Sequence, residues 1–239
     1  MEDDRTFFRV GGVCAALSGV TTFLLWLLPR TYDAPAGFEE SIALHAHAGY
    51  MARWWVNFVH IFLALAGYAA TAWALRARSR MLSALGFLWF LLWGFTELLG
   101  VSIQIWAVNR TWRAGWAAAD AATRDILRAN LTGFSAVWDG MFFLLLVAFL
   151  LGTLCFGIAA VSGGSGIAAA RGSGLERWVG AMLLLAVPLT IAILLDGYAG
   201  MTAAGRAVER IYPVLQPVSR VSMGVWLWRR TSAYHFQSS

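Results

Sequence analysis

Lysine is absent from this chain, and all 18 of its basic residues are Arg. Charge of either sign is scarce, at 13% of residues where an ordinary soluble domain carries about 25%. Cysteine is nearly absent too. Cys14 and Cys155 each lie inside an apolar run, with no CxxC or Cys/His metal spacing, and both read as small buried hydrophobes. No stretch between the apolar runs is long enough for a soluble domain, so 1–239 reads as a single integral membrane domain. The net charge of +5 is spread over short loops rather than gathered in a block. That points to the lipid bilayer and its anionic headgroups as partners, and away from nucleic acid.

What is present is hydrophobicity, in 59% of the residues. The region 54–108 organises the rest: two long apolar runs joined by the basic turn Arg76-Ala-Arg-Ser-Arg80. An apolar helix of about 20 residues crosses the roughly 30 Å of bilayer hydrocarbon. The pattern predicts an all-α polytopic transmembrane bundle with six transmembrane helices, at about 7–28, 54–75, 81–108, 131–161, 176–195 and 211–228. The first run is too long and its head too acidic for a cleaved signal peptide. Gly12 and Gly19 in that run, and Ala66, Ala70 and Ala74 in the second, suit close helix packing. Pro213, Pro217 and Arg220 interrupt the sixth run.

The connections carry their own signals. Trp112, Trp116, Ala119, Ala122 and Ile126 repeat at helical spacing, with Asp120 and Arg124 as an i,i+4 pair on the wet side. They predict an amphipathic helix, either lying on the interface or capping the bundle. Two glycosylation sequons, at Asn109 and Asn130, abut membrane ends and carry no weight. The glycine-rich stretch 162–174 has no preceding strand and reads as a flexible linker, not a phosphate loop. Nine Arg stand near helix ends on one side and eight on the other. The short Arg76–Arg80 turn decides the orientation, with both termini cytoplasmic in a multi-pass protein of the cell membrane.

Polar groups inside the runs are the functional signal, because ionisable side chains in hydrocarbon are costly and need partners or a wet cavity. Asn57, His60, Glu97, Gln104, Asp139, Asp196 and Arg220 all fall in the half of the bundle that ends near Trp54, Val108 and Leu131. By helical rise His60 lies about 9 Å inside, Asp139 about 12 Å, and Glu97 and Arg220 about 15–16 Å. Equal depth predicts that Glu97 pairs with Arg220, directly or through Asp139. The opposite half holds almost no polar group.

Such a cluster admits several roles. It can be polar glue between helices. It can line a cavity for a small ligand or, with Glu97 and Asp139 titrating, serve a proton-coupled transporter. With His45, His47 and His60 as metal ligands it could be a metal-dependent intramembrane hydrolase, although no HExxH-type spacing is present. A haem sandwich would need facing His, and only His60 is intramembrane; His235 falls in the tail. The reading adopted is a non-enzymatic small-ligand- or partner-binding membrane protein, or an accessory subunit of a membrane complex, with a polar pocket in one leaflet and no assigned cofactor.

Three features carry a family likeness: Glu97 on the third run, Leu151-Gly-Thr-Leu-Cys-Phe-Gly157, and Pro213-Val-Leu-Gln-Pro217 followed by Gly224-Val-Trp-Leu-Trp228. In these the chain resembles a bacterial family of six-helix integral membrane proteins of unassigned function. The resemblance implies the six-helix fold and no activity. The chain departs from it before Glu97, where Trp89 to Trp93 stand in place of an expected basic residue.

Overall fold

The structure, a computed structural model, describes residues 2–162, 174–202 and 205–233. All regular structure among them is helical: α1 (Glu2–Leu27), α2 (Phe38–Ala43), α3 (Ala48–Leu75), α4 (Arg80–Ile103), α5 (Ala121–Val161), α6 (Gly174–Ala199) and α7 (Gly205–Ala233). Short 3-10 turns, Leu28–Thr31 and Leu44–Ala46, flank α2, and a π-helical segment, Gln104–Arg113, prolongs α4. Five stretches among the described residues are long and apolar enough to cross a bilayer: Asp3–Thr31, Ala48–Leu75, Arg80–Arg113, Ala121–Val161 and Gly174–Ala199. This is the pattern of a transmembrane helical protein. Most of the glycine-rich linker and all of the tail with His235 lie outside the described residues.

The six long helices form a closed ring in chain order. α1 packs on α3, α3 on α4, α4 on α5, α5 on α6, α6 on α7, and α7 returns to α1. Small residues allow the closure. A Cβ built on Gly12 would stand 2.9 Å from the Gly224 carbonyl oxygen, and one on Gly224 2.6 Å from that of Gly12. One turn-pair on, a Cβ on Gly19 would stand 2.8 Å from the Pro217 carbonyl oxygen. Backbone therefore touches backbone along α1 and α7, the close approach that small residues permit in membrane bundles. Ala70 and Ala74 are buried as expected, with Ala70 lying against Gly11. The ring centre is aromatic: Tyr68 stacks on Phe90 at 3.7 Å, with Trp93, Phe149 and Phe156 around them.

Helix α7 is amphipathic in the inverted sense. Ile211, Val214, Val218, Val221, Val225 and Trp228 recur at three- and four-residue spacing and are all 38–60% exposed. Gln216, Ser219 and Arg220, by contrast, are buried in the ring. Averaging over the helix hides this stripe, which is why α7 is not among the five apolar stretches.

The amphipathic helix expected over 112–127 is not one element. The π segment ends at Arg113, a turn follows, and α5 starts afresh at Ala121. Asp120 is the reason, since its carboxylate accepts from the Thr123 N–H at 2.8 Å and caps α5. Asp is among the preferred N-cap residues because it satisfies an otherwise orphaned backbone donor. The Thr123 bonds hold the exposed Asp120 carboxyl below the usual carboxylate range. Arg124 turns away to the carbonyls of Trp116 and Ala117, so the expected Asp120–Arg124 pair does not form. The 41 residues of α5 extend about 61 Å, twice the hydrocarbon thickness.

The half expected to lack polar groups holds a buried ion pair. Arg78 Nε lies 2.9 Å from Glu176 Oε1, with both side chains at most 10% exposed. The basic turn is thereby tied to the start of α6. The signal was available in helix parity, which places Glu176 on the same face as that turn.

Gly224→Val should destabilise the protein by about 1–3 kcal/mol, because the added side chain meets backbone that cannot move aside. Gly133→Ala, with open space around its Cβ position, should be neutral or slightly stabilising. Thermal unfolding in detergent checks both, and equal losses would contradict the helix seam.

Candidate functional site

The expected cluster resolves into three separate places. The first is a cavity of about 310 Å³ walled by Leu25 of α1, Arg53, Trp54 and Asn57 of α3, Glu97 of α4, and Trp138, Asp139 and Phe142 of α5. Asn57 donates from Nδ2 to Glu97 Oε1 at 2.9 Å. Its own Oδ1 is buried without a hydrogen-bond partner, as is Trp54 Nε1 on the same wall. Arg53 donates to the Tyr32 hydroxyl at 3.3 Å and lies 5.6 Å from the Trp54 ring centre. Among the described residues no ion pair involves Glu97 or Asp139.

Depth along the helices places this cavity near the membrane surface. Counted from the basic-turn end, Glu97 lies about 26 Å from Arg80 and Asn57 about 27 Å from Leu75, while Trp54 lies about 32 Å from Leu75 and Asp139 about 33 Å from Val161. Asn57 and Glu97 therefore form the floor, and Trp54, Trp138 and exposed Asp139 the rim, at the level where aromatic belts sit. This corrects the depth expected for Asp139. Because α5 begins ten residues before Leu131, that residue does not mark the membrane edge.

The second place lies one turn deeper on α3. His60, three residues after Asn57, is bound on both ring nitrogens: Nδ1 to the Thr21 hydroxyl at 2.7 Å and Nε2 to Arg220 NH1 at 3.1 Å. Arginine can only donate, so Nε2 is the acceptor and Nδ1 carries the proton. The guanidinium lies 5.5 Å from the Tyr68 ring centre and 5.8 Å from that of Trp93. The expected direct Glu97–Arg220 pair is thus replaced by two bonds staggered along α3. Asn57 takes Glu97, His60 takes Arg220, and no ion pair joins the two among the described residues.

The third place is a cavity of about 380 Å³ on the far side of Trp138, lined by Gln104, Phe38, Ser41, Arg113, Phe134 and others. Gln104 therefore belongs to the π segment's cavity and not to the first. Asp196 is exposed near the end of α6 and lines neither. His45, His47 and His60 are not brought together. His45 Nδ1 bonds the Ile42 carbonyl oxygen, and His47 caps α3 by accepting from the Tyr50 N–H. Among the described residues no three His, Cys, Asp or Glu side chains gather as a metal site requires.

Sequence reasoning missed Arg53, Trp54 and Trp138 as cavity walls, Thr21 as the partner of His60, and Tyr68 and Trp93 around Arg220. Of the first three, only Trp54 stood out in the sequence, as the end of an apolar run. The others look like ordinary residues of an apolar run, and only their facing partners give them a role.

Fold and site together define a polytopic helical membrane protein with a polar, aromatic-rimmed cavity at one end of its ring. No family model, curated protein or solved structure matches the chain.

His60→Leu should cost about 1.5–3 kcal/mol, because it strands the buried guanidinium of Arg220. The double variant His60→Leu, Arg220→Met should recover part of that loss, since it removes the stranded charge as well. A double-mutant cycle on thermal unfolding measures this coupling; additive losses would contradict it.

Proposed function

We propose that this is a small-ligand-binding protein of the cell membrane, with its site in the cavity between α1, α3, α4 and α5. One observation carries the reading: Asn57, Glu97 and Asp139 come from three helices to one cavity, beside the orphaned buried atoms Asn57 Oδ1 and Trp54 Nε1. Polar glue would leave no cavity between its members and would saturate its own donors and acceptors. Pockets for small molecules characteristically combine apolar and aromatic walls with a few convergent polar groups. The site is a binding site without chemistry of its own, and the protein's partners are the bilayer and that ligand.

The same reading takes α7 as a sixth span. Its stripe from Ile211 to Trp228 is about 26 Å long, close to the hydrocarbon thickness, and faces outward from the ring. An even number of spans leaves both termini on one side. The short turn Arg76–Arg80 assigns that side to the cytoplasm, so the cavity faces outward from the cell. The six-helix resemblance of Glu97, Gly157 and Gly224 and their neighbours agrees with this count.

Cysteine accessibility tests both points. With Cys14 and Cys155 changed to Ser, an Asn57→Cys variant should react in intact cells with a membrane-impermeant cationic thiol reagent. A Val59→Cys variant, on the outward lipid-facing side of α3, should not. Reaction only in inverted vesicles would reverse the orientation and keep the cavity. Protection of Asn57→Cys from both sides would overturn the ligand-site reading.

A further inference from the structure

The composition of the cavity names a ligand class, an inference that rests on the ligand-site reading above. We infer that the cavity takes a substituted ammonium: a small organic cation of the kind found in choline and ethanolamine groups. Two carboxylates, Glu97 and Asp139, reach the same space, and among the described residues neither is in an ion pair. One cation also lines the wall, Arg53, which donates to the Tyr32 hydroxyl and lies 5.6 Å from the Trp54 ring centre, so two carboxylates face a single guanidinium. Arg220 lies behind Glu97, held by His60 and packed on Tyr68 and Trp93, and is not part of the wall.

The remaining walls are suited to a positive charge. Trp54, Trp138 and Phe142 present three aromatic side chains to one cavity, and aromatic faces attract ammonium groups. The attraction is strongest for Trp and grows when the contact is desolvated. Trp138 is held in place by the absence of a side chain opposite it, since a Cβ on Gly100 would collide with its ring. Trp54 packs against Trp138 at 6.5 Å between ring centres, at 81°. Trp54 is only 8% exposed, so its contact with the cavity is largely shielded from bulk solvent. A substituted ammonium meets the two carboxylates and the aromatic side chains of one cavity together. At about 310 Å³ the cavity has roughly ten waters' share of liquid volume, enough for such a group and too small for a lipid's chains.

The ammonium can belong to a soluble molecule or to a lipid headgroup, because the cavity rim lies at the membrane interface. Choline is the probe, and 3,3-dimethyl-1-butanol, its uncharged isostere, is the control. Protein is reconstituted in phosphatidylglycerol nanodiscs, which contain no ammonium, at constant ionic strength. Binding is read by thermal shift and by equilibrium dialysis of labelled choline. Saturable choline binding without binding of the isostere is expected. Asp139→Asn, at an exposed position, and Glu97→Gln should each raise the Kd about tenfold, and Trp138→Leu should raise it several-fold. Discs of phosphatidylethanolamine distinguish the sources. An undiminished choline shift there assigns the site to a soluble cation, and a lost shift assigns it to the headgroup; either keeps the ammonium. Equal binding of choline and its isostere, or binding of phosphocholine but not choline, would overturn the inference. So would Asn57→Cys reactivity from outside without any saturable choline binding, and in that case the cavity stands while its ligand class falls.

Discussion

A guanidinium inside a membrane bundle must be given acceptors by protein, because hydrocarbon offers none. Here the acceptor is His60. Its Nε2 takes Arg220 of α7, and its Nδ1 proton goes to Thr21 of α1, so one imidazole joins three helices. The bond explains why α7 can bury Arg220 beside Gln216 and Ser219 while turning a pure apolar stripe outward. The glycine seam along Gly12, Gly19 and Gly224 brings α1 and α7 close enough for that geometry. Ring closure and charge burial are therefore one problem with one solution.

The cavity is the complement of this seam. Toward the basic-turn end the ring is filled by Tyr68, Phe90, Trp93 and Phe156, and backbones meet through small residues. Toward the loop end α4 passes into a π-helical segment and α5 runs on beyond the bilayer. π-helical turns are rare and concentrate at functional sites. Here the segment begins at Gln104, which lines the second cavity, and ends at Arg113, whose guanidinium bonds the Tyr50 hydroxyl and Asn109. Trp138 stands between the two cavities and walls both.

Much was legible in the chain before any coordinates. Hydrophobic runs of span length are a strong signal, because the bilayer admits few backbone solutions. The face shared by Asn57, Glu97 and Asp139 followed from helix parity alone. The inference failed where it depended on where helices begin. Asp120 restarts the helix ten residues earlier than the apolar run suggests, and that moved Asp139 from the interior to the rim. It failed again where matching depth stood in for contact. Glu97 and Arg220 are near in depth, but α3 offers Asn57 to one and His60 to the other, a turn apart.

The sequence alone determined that the chain is helical and membrane-spanning, which residues are too polar for lipid, and which end of the bundle holds most of them. Those are properties of local composition and helical period, and they need no partner. Only the tertiary structure decided which polar groups saturate one another and which are left facing a cavity. It hid the Arg78–Glu176 pair in the other half, tied up His45, His47 and His60 singly, and left Glu97 and Asp139 in no ion pair among the described residues. Pairing depends on rotation about each helix axis, and that rotation is set by how side chains interlock between helices. No single run of sequence contains that information.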